Sequence, residues 1–237
     1  GDCGHAAGVA ESVHDCRMGA LRVTNRSGNV TVIGEDRPDI VVAKGGEPRV
    51  APDGSVEVAG HSGAIEVRCP VGTDVVVGTR SGDVVLGGSL GDARATTGSG
   101  KIEVEHVGRV DARTGSGSLV VGCCDGDCRL HTGSGSVRVG RAGELDVGAG
   151  SGSVEAEEVG GGKVRAGSGS VELGLSTAGE LEIRAHSGSV TVTVPEGLCP
   201  ATELLSSSGT VRCECEPGGE GEIKVKTGSG SIVVEPR

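Results

Sequence analysis

The chain contains no phenylalanine, tyrosine or tryptophan, and one methionine, Met18. Any core is therefore built from Val, Ile, Leu, Ala and Cys, and it has to be thin, because the large side chains that fill a thick interior are missing. Proline is scarce at 8 residues, and no strict every-third-residue glycine runs through the 46 glycines, which excludes collagen. Positive charge is also short. With 22 Lys and Arg against 33 Asp and Glu, the net charge is −11, and this disfavours nucleic acid and anionic lipid, both of which need clustered cations. No apolar run approaches the ~20 residues of a membrane span. The chain starts at Gly1 rather than Met, which reads as a processed or truncated product, with an extracytoplasmic or secreted location favoured over a cytoplasmic one.

What is present is a repeat. Hydrophobic residues make up 35% of the chain and recur in short alternating runs, which separates it from a disordered glycine-rich segment. Ser-Gly is followed by a polar residue and then alternating apolar positions, as in TGSGKIEVE, TGSGSLVVG, TGSGSVRVG, AGSGSVELG and TGSGSIVVE. The anchoring glycines are Gly82, Gly100, Gly117, Gly135, Gly152, Gly169, Gly188, Gly209 and Gly230, spaced 17 to 21 residues apart, with weaker members at Gly28 and Gly63. The 35 residues between those two fit two turns, giving about twelve rungs.

After each anchor come two inward positions, such as Val137 and Val139, and before the next come two more, such as Leu145 and Val147. Each rung thus has two strands of period 2, joined by a Ser-Gly turn at one end and a looser turn such as HVGR or RAGE at the other. Such a rung cannot bury its own apolar face, so neighbours must stack. The predicted fold is all-β, a single-chain parallel β-solenoid (β-helix) with the right-handed crossover preferred by parallel strands. Residues 21–237 form the solenoid and residues 1–20 an N-terminal cap, in which Ala6, Val9, Ala10 and Val13 fall at helical spacing and predict a short capping helix.

Outward positions give an independent check of register. Six residues before successive anchors stand Arg94, Asp111, Arg129, Asp146, Lys163 and Glu182, alternating in sign, followed by Glu203 and Lys224, which break the order. Stacked parallel strands bring such residues ~4.8 Å apart, where opposite charges attract. Two residues later runs a more basic column of Arg113, His131, Arg165, Arg184 and Lys226, while Glu105, Glu157, Glu214 and Glu235 share a column on the other sheet.

The recurring (T/A)GSGSVxV unit, the C-terminal KVKTGSGSIVVEPR and the rung PVGTDVVVGTRSGDVVLGG together resemble the bacterial "putative adhesin" β-strand-repeat family, over about residues 20 to 237. The resemblance implies a β-solenoid with an adhesive, cell-envelope or stress-sensing role in some members. It carries over no catalytic residues.

Chemistry is sought first among the nine cysteines. Cys69, Cys123 and Cys215 share a column but lie rungs apart and cannot hold one metal. Cys124, Cys128 and Cys213 fall at inward offsets and read as small buried hydrophobes; the alternative is disulfides, with Cys3–Cys16, Cys124–Cys128 and Cys199–Cys215 as the allowed pairings. The six His residues are spread through turns and columns, so no nucleophile–base–orienter set is assembled from them. GSGS lacks the Lys-Ser/Thr and helix of a phosphate loop. The expectation is a chain without catalytic, metal or cofactor sites: a rigid scaffold or adhesin-like binding module for a protein or cell-surface ligand. The alternative is a subunit that self-associates laterally or end to end into filaments. More remote are an ice-binding face along Ser116–Ser118, Ser134–Ser136, Ser151–Ser153 and Ser168–Ser170, and a polysaccharide-active β-helix, which usually needs aromatic platforms.

Overall fold

The computed structural model of the chain describes residues 11–13, 20–198, 200–215, 218–219 and 221–237. Among these there is no helix; strands belong to one continuous, mainly parallel hydrogen-bonded system. Five strands of 15 or 16 residues, Val84–Ser99, Ile102–Ser116, Leu119–Ser134, Val137–Ser151 and Val154–Ser168, run from one Ser-Gly corner to the next. The looser turns expected at HVGR and RAGE are instead bends, where the backbone stays in the ladder and absorbs the corner in register shifts such as that between Val107 and Val110.

Alternation decides which residues go inside. Ile102 and Val104 lie beside Leu119 and Val121, which lie beside Val137 and Val139, and all six are at most 1% exposed. Burying each such side chain contributes about 1.5–3 kcal/mol.

The Ser-Gly corner sets the stacking. The Gly135 N–H donates to the Ser151 carbonyl and the Gly152 N–H to that of Ser168, both at 2.9 Å. At this point the backbones approach so closely that a Cβ on Gly135, whose φ is +148°, would collide with the Gly117 carbonyl oxygen. The Thr of TGSG points inward, buried, and its hydroxyl ties the corner across rungs: Thr132 Oγ1 donates to the Gly117 carbonyl at 3.1 Å and Thr114 Oγ1 to that of Gly100 at 3.2 Å. Where Ala149, Ala166 or Ala185 replaces it, the packing role remains without the bond.

Spatial order departs from chain order at both ends. The Gly28 rung is sandwiched: Leu21–Ser27 pairs with Val56–Ser62 on one side and Val75–Ser81 on the other. At the far end Glu222–Ser229 lies between Glu180–Ser187 and Ala201–Ser208, so the last rung of the sequence is the penultimate rung of the stack. The described stack has eleven rungs, one for each of the eleven anchor glycines, rather than twelve. Between Gly28 and Gly63 the extra residues form no second turn. They supply antiparallel strands Ile40–Lys44 and Glu47–Val50, which cover the outer edges of Ile65–Pro70 and Val56–Ser62.

The expected capping helix is not formed over its described part. Glu11–Val13 is a strand, antiparallel to Ile40–Lys44. An open strand edge offers unpaired backbone groups, and β-branched Val13 suits pairing with it better than a helix; the remainder of residues 1–20, apart from Ala20, lies outside the described residues.

The spatial order makes a testable distinction between two equivalent glycines. A Cβ on Gly28 would overlap the Gly63 carbonyl, whereas one on Gly63, at φ +93°, meets nothing within 4 Å, because that rung ends the corner column. Gly63→Ala is expected to cost about 1 kcal/mol from backbone strain alone, and Gly28→Ala about 2 kcal/mol more from overpacking, read as the order of urea midpoints.

Candidate functional site: a charge ladder and a polar corner

In-register stacking turns the outward offset into one column. In space it reads Glu57, Arg22, Val76, Arg94, Asp111, Arg129, Asp146, Lys163, Glu182, Lys224, Glu203. Insertion of the last rung places Lys224 between Glu182 and Glu203, which restores the alternation that chain order breaks. The Lys224 ammonium bonds the Glu222 carboxylate at 2.7 Å and lies in the field of Glu222, Glu203 and Glu180; these hold its pKa above the usual lysine value, so it is charged throughout the neutral range. Lateral pairs brace the column: Arg113 Nε lies 3.1 Å and Arg94 Nε 3.9 Å from the Asp111 carboxylate. Each exposed pair is worth only about 0.2–1 kcal/mol, but their order fixes the pattern that the surface displays.

Beside this column runs a shallow groove of about 450 Å³, where Asp92, Arg94, Arg109, Asp111, Asp127 and Arg129 present three carboxylates and three guanidinium groups. On the other sheet a groove of about 370 Å³ is lined by Ser118, Ser136, Ser153 and Ser170. The Arg138–Glu155 ion pair, at 2.9 Å, lines the same groove.

The bend opposite the Ser-Gly corner brings together residues that sequence reasoning kept apart. Ser89, His106 and Cys123 are register neighbours on three successive rungs. His106 Nδ1 is 3.0 Å from Ser89 Oγ and Nε2 is 3.1 Å from Asp125 Oδ2, while Cys123 Sγ lies 3.9 Å from Asp125 Oδ1. Partial burial and the Asp125 carboxylate push the Cys123 thiol up from its ordinary pKa. Next in the column Arg141 is committed to Glu158 at 2.9 Å. A hydrogen-bonded serine–histidine–carboxylate set therefore does exist, contrary to the sequence expectation. Its polarity is the reverse of a hydrolase triad, with serine on Nδ1, and the Asp125 side chain is 66% exposed. The signal was available: Ser89, His106, Cys123, Arg141 and Glu158 stand six or seven residues after successive anchors. A bulge hides Ser89 from a fixed-offset search, and Asp125 enters from the bend itself.

Of the proposed disulfides, Cys3–Cys16 and the Cys199 half of the third lie outside the described residues. Cys124 and Cys128 are buried, as expected of small hydrophobes, and the Cys124 thiol donates to the Asp127 carbonyl at 3.5 Å. The neighbouring Cys124 thiol and burial hold the Cys128 thiol above its usual pKa. Cys213 has the inward register of Val234 yet is exposed, because its rung ends the stack. Cys69 is buried, and desolvation raises it to about 11.

The sequence model of the Toastrack DUF4097 family matches residues 13–235, so the chain belongs to that family. No curated protein matches it. A solved structure described as a putative cell adhesion protein from Clostridium sporogenes ATCC 15579 aligns over 97% of this chain and 100% of its own, at 11% identity and a TM-score of 0.29.

Two outcomes follow from this geometry. Lys224→Glu would set a third carboxylate between Glu182 and Glu203, so the unfolding temperature falls at low ionic strength and the loss shrinks near 1 M salt, where the Debye length is about 3 Å; equal stability at low salt would remove Lys224 from that position. Because the raised Cys69 and Cys128 thiols favour the protonated fold, their contribution is complete below the unfolded-chain pKa near 9 and is lost as pH climbs through the folded value, about 11 for Cys69. Urea midpoints should drop over that window, and less so in Cys69→Val.

Proposed function

We propose that this Toastrack domain is a non-enzymatic, rigid solenoid that binds a protein or cell-surface polymer along its charge ladder, as an adhesin-like module of the cell envelope. The observation that carries the reading is the groove in which Asp92, Arg94, Arg109, Asp111, Asp127 and Arg129 hold both signs of charge at fixed rung spacing. A surface of this kind recognises a partner by charge register rather than by a deep apolar pocket, and long-range steering adds to it. Oxidation of Cys124 and Cys128, which are buried neighbours, to a disulfide would suit an extracytoplasmic location.

Filament formation is the second reading, and one observation supports self-association: among the described residues Ala201–Ser208 and Val211–Cys213 pair on one side only, leaving Leu205 and Val211 exposed at 52% and 43%. The opposite end is dressed by antiparallel strands, and a head-to-tail fibre needs two open ends. Self-association through the bare end alone would stop at a back-to-back dimer.

The binding reading is tested with the purified domain on cell-envelope preparations of the producing organism. Retention should fall at least about tenfold in Arg94→Glu/Arg129→Glu and rise again at low salt, with Arg49→Glu unaffected; no retention, or retention indifferent to the double reversal, would overturn it. For the non-enzymatic part, a fluorophosphonate that labels activated serines should leave Ser89 unmodified. Sedimentation at high concentration separates the assembly readings: a monomer or dimer is expected, and an open series of oligomers would favour the filament.

A further inference from the structure

The bend opposite the Ser-Gly corner has a use that neither the ladder nor the scaffold reading absorbs. We propose that His106, Cys123 and Asp125 form a divalent transition-metal site of the zinc class, with Ser89 as the positioning residue for the imidazole.

The donor set is the first argument. One imidazole nitrogen, one sulfur and a carboxylate oxygen lie within 4.8 Å of one another, and the known bond lengths, ~2.0–2.1 Å to nitrogen or oxygen and ~2.3 Å to sulfur, put the edges of a tetrahedral site at about 3.4–3.6 Å. His106 Nε2 lies 3.1 Å from Asp125 Oδ2 and Cys123 Sγ 3.9 Å from Oδ1 of the same carboxylate, so a side-chain adjustment that draws all three donors in from their present separations brings them onto an ion. A mixed N, S and O set selects zinc or cobalt over calcium or magnesium, which take oxygen ligands. Three protein ligands leave the fourth position to water, and with the His106 and Asp125 side chains 41% and 66% exposed, the ion enters directly from solvent.

The second argument is the hydrogen bond on the other side of the ring. Ligating histidines donate their second N–H to a fixed acceptor, which sets tautomer and ring plane. Ser89 Oγ occupies that place, held by the ladder pairing of Ser89 with His106. Without metal, the Nε2 proton is donated to Asp125 and the serine hydroxyl donates to Nδ1. With metal, the proton resides on Nδ1 and is donated to Ser89, the Nε2 lone pair goes to the ion, and the Cys123 thiol proton is released to solvent. A hydroxyl can serve both roles by rotation. Thiolate and carboxylate together neutralise the dication, and the Arg141 guanidinium that would oppose it is already paired with Glu158. The backbone supports the cluster independently of the ion, because Ser89, His106 and Cys123 are aligned by main-chain register.

The test uses the intact chain, stripped of metal, with alkylation of each cysteine by iodoacetamide followed by peptide mass spectrometry during Zn²⁺ titration. Zinc should slow alkylation of Cys123 by about tenfold or more, reversibly with EDTA, because the thiolate is taken up by the ion. His106→Asn and Asp125→Ala should abolish the protection, Ser89→Ala should require about 10–100-fold more zinc, and the Cys213→Ser/Cys215→Ser double variant should keep wild-type protection. Unchanged Cys123 alkylation in wild type at micromolar zinc would overturn the site, as would protection that survives in His106→Asn; wild-type zinc dependence in Ser89→Ala would remove the positioning role. The envelope-binding assay is independent of all these outcomes.

Discussion

The structure depends on the backbone hydrogen bond that nine of the eleven anchor glycines make to a serine carbonyl of the neighbouring rung. That bond is possible only because no Cβ stands between the two chains at the corner. Once the corners are pinned in one column, each strand is held in register along its full length, and every offset in the repeat becomes a line of residues at strand spacing. The thin aliphatic core, the buried threonines, the alternating charges and the polar bend all follow from this alignment. It also limits what the core can hold: stacked inward positions take Val, Ile, Leu, Ala, Cys and Thr, with Asn25 in the threonine place on its rung, and nothing in the fold accounts for the lack of aromatics on the outside.

The repeat unit was legible because its two signals are local. Period-2 alternation around Val137, Val139, Leu145 and Val147 gives strand and face, and glycine spacing gives the rung. The order of the rungs was not legible in the same way, since a parallel rung fits equally well beside any neighbour with the same offsets. Charge held the missing information. In chain order Glu203 follows Glu182 and repels it; in space Lys224 separates them. The N-terminal segment misled because its spacing is compatible with a helix, while the edge strand that captures Glu11–Val13 is created by an excursion, Ile40–Lys44, that no periodicity announced. The His106 cluster is hard to see because its members are of different residue types: His106 and Cys123 share an offset, Ser89 joins them through a bulge, and Asp125 enters from the bend.

These features divide the molecule into parts with different work. The ladder face is long, charged and rigid, suited to a partner read by register. The polar bend is small and chemically specific, suited to one ion. The two ends differ as well, one covered by antiparallel strands and the other paired on a single side among the described residues, so the solenoid has a direction. One paired-on-one-side end and one covered end, among the described residues, support the binding reading proposed above over unlimited growth.

The most direct measurement of the account is cross-linking at outward positions of neighbouring rungs. Adjacent parallel strands hold their Cα atoms ~4.8 Å apart, within disulfide reach, and strands two rungs apart hold them ~9.6 Å apart, beyond it. Glu182→Cys combined with Lys224→Cys should therefore form an intramolecular disulfide under mild oxidation, mapped by mass spectrometry, and Glu182→Cys combined with Glu203→Cys should not. The opposite pattern, a 182–203 bond without a 182–224 bond, would mean that the rungs stack in chain order and would contradict the ladder at its centre.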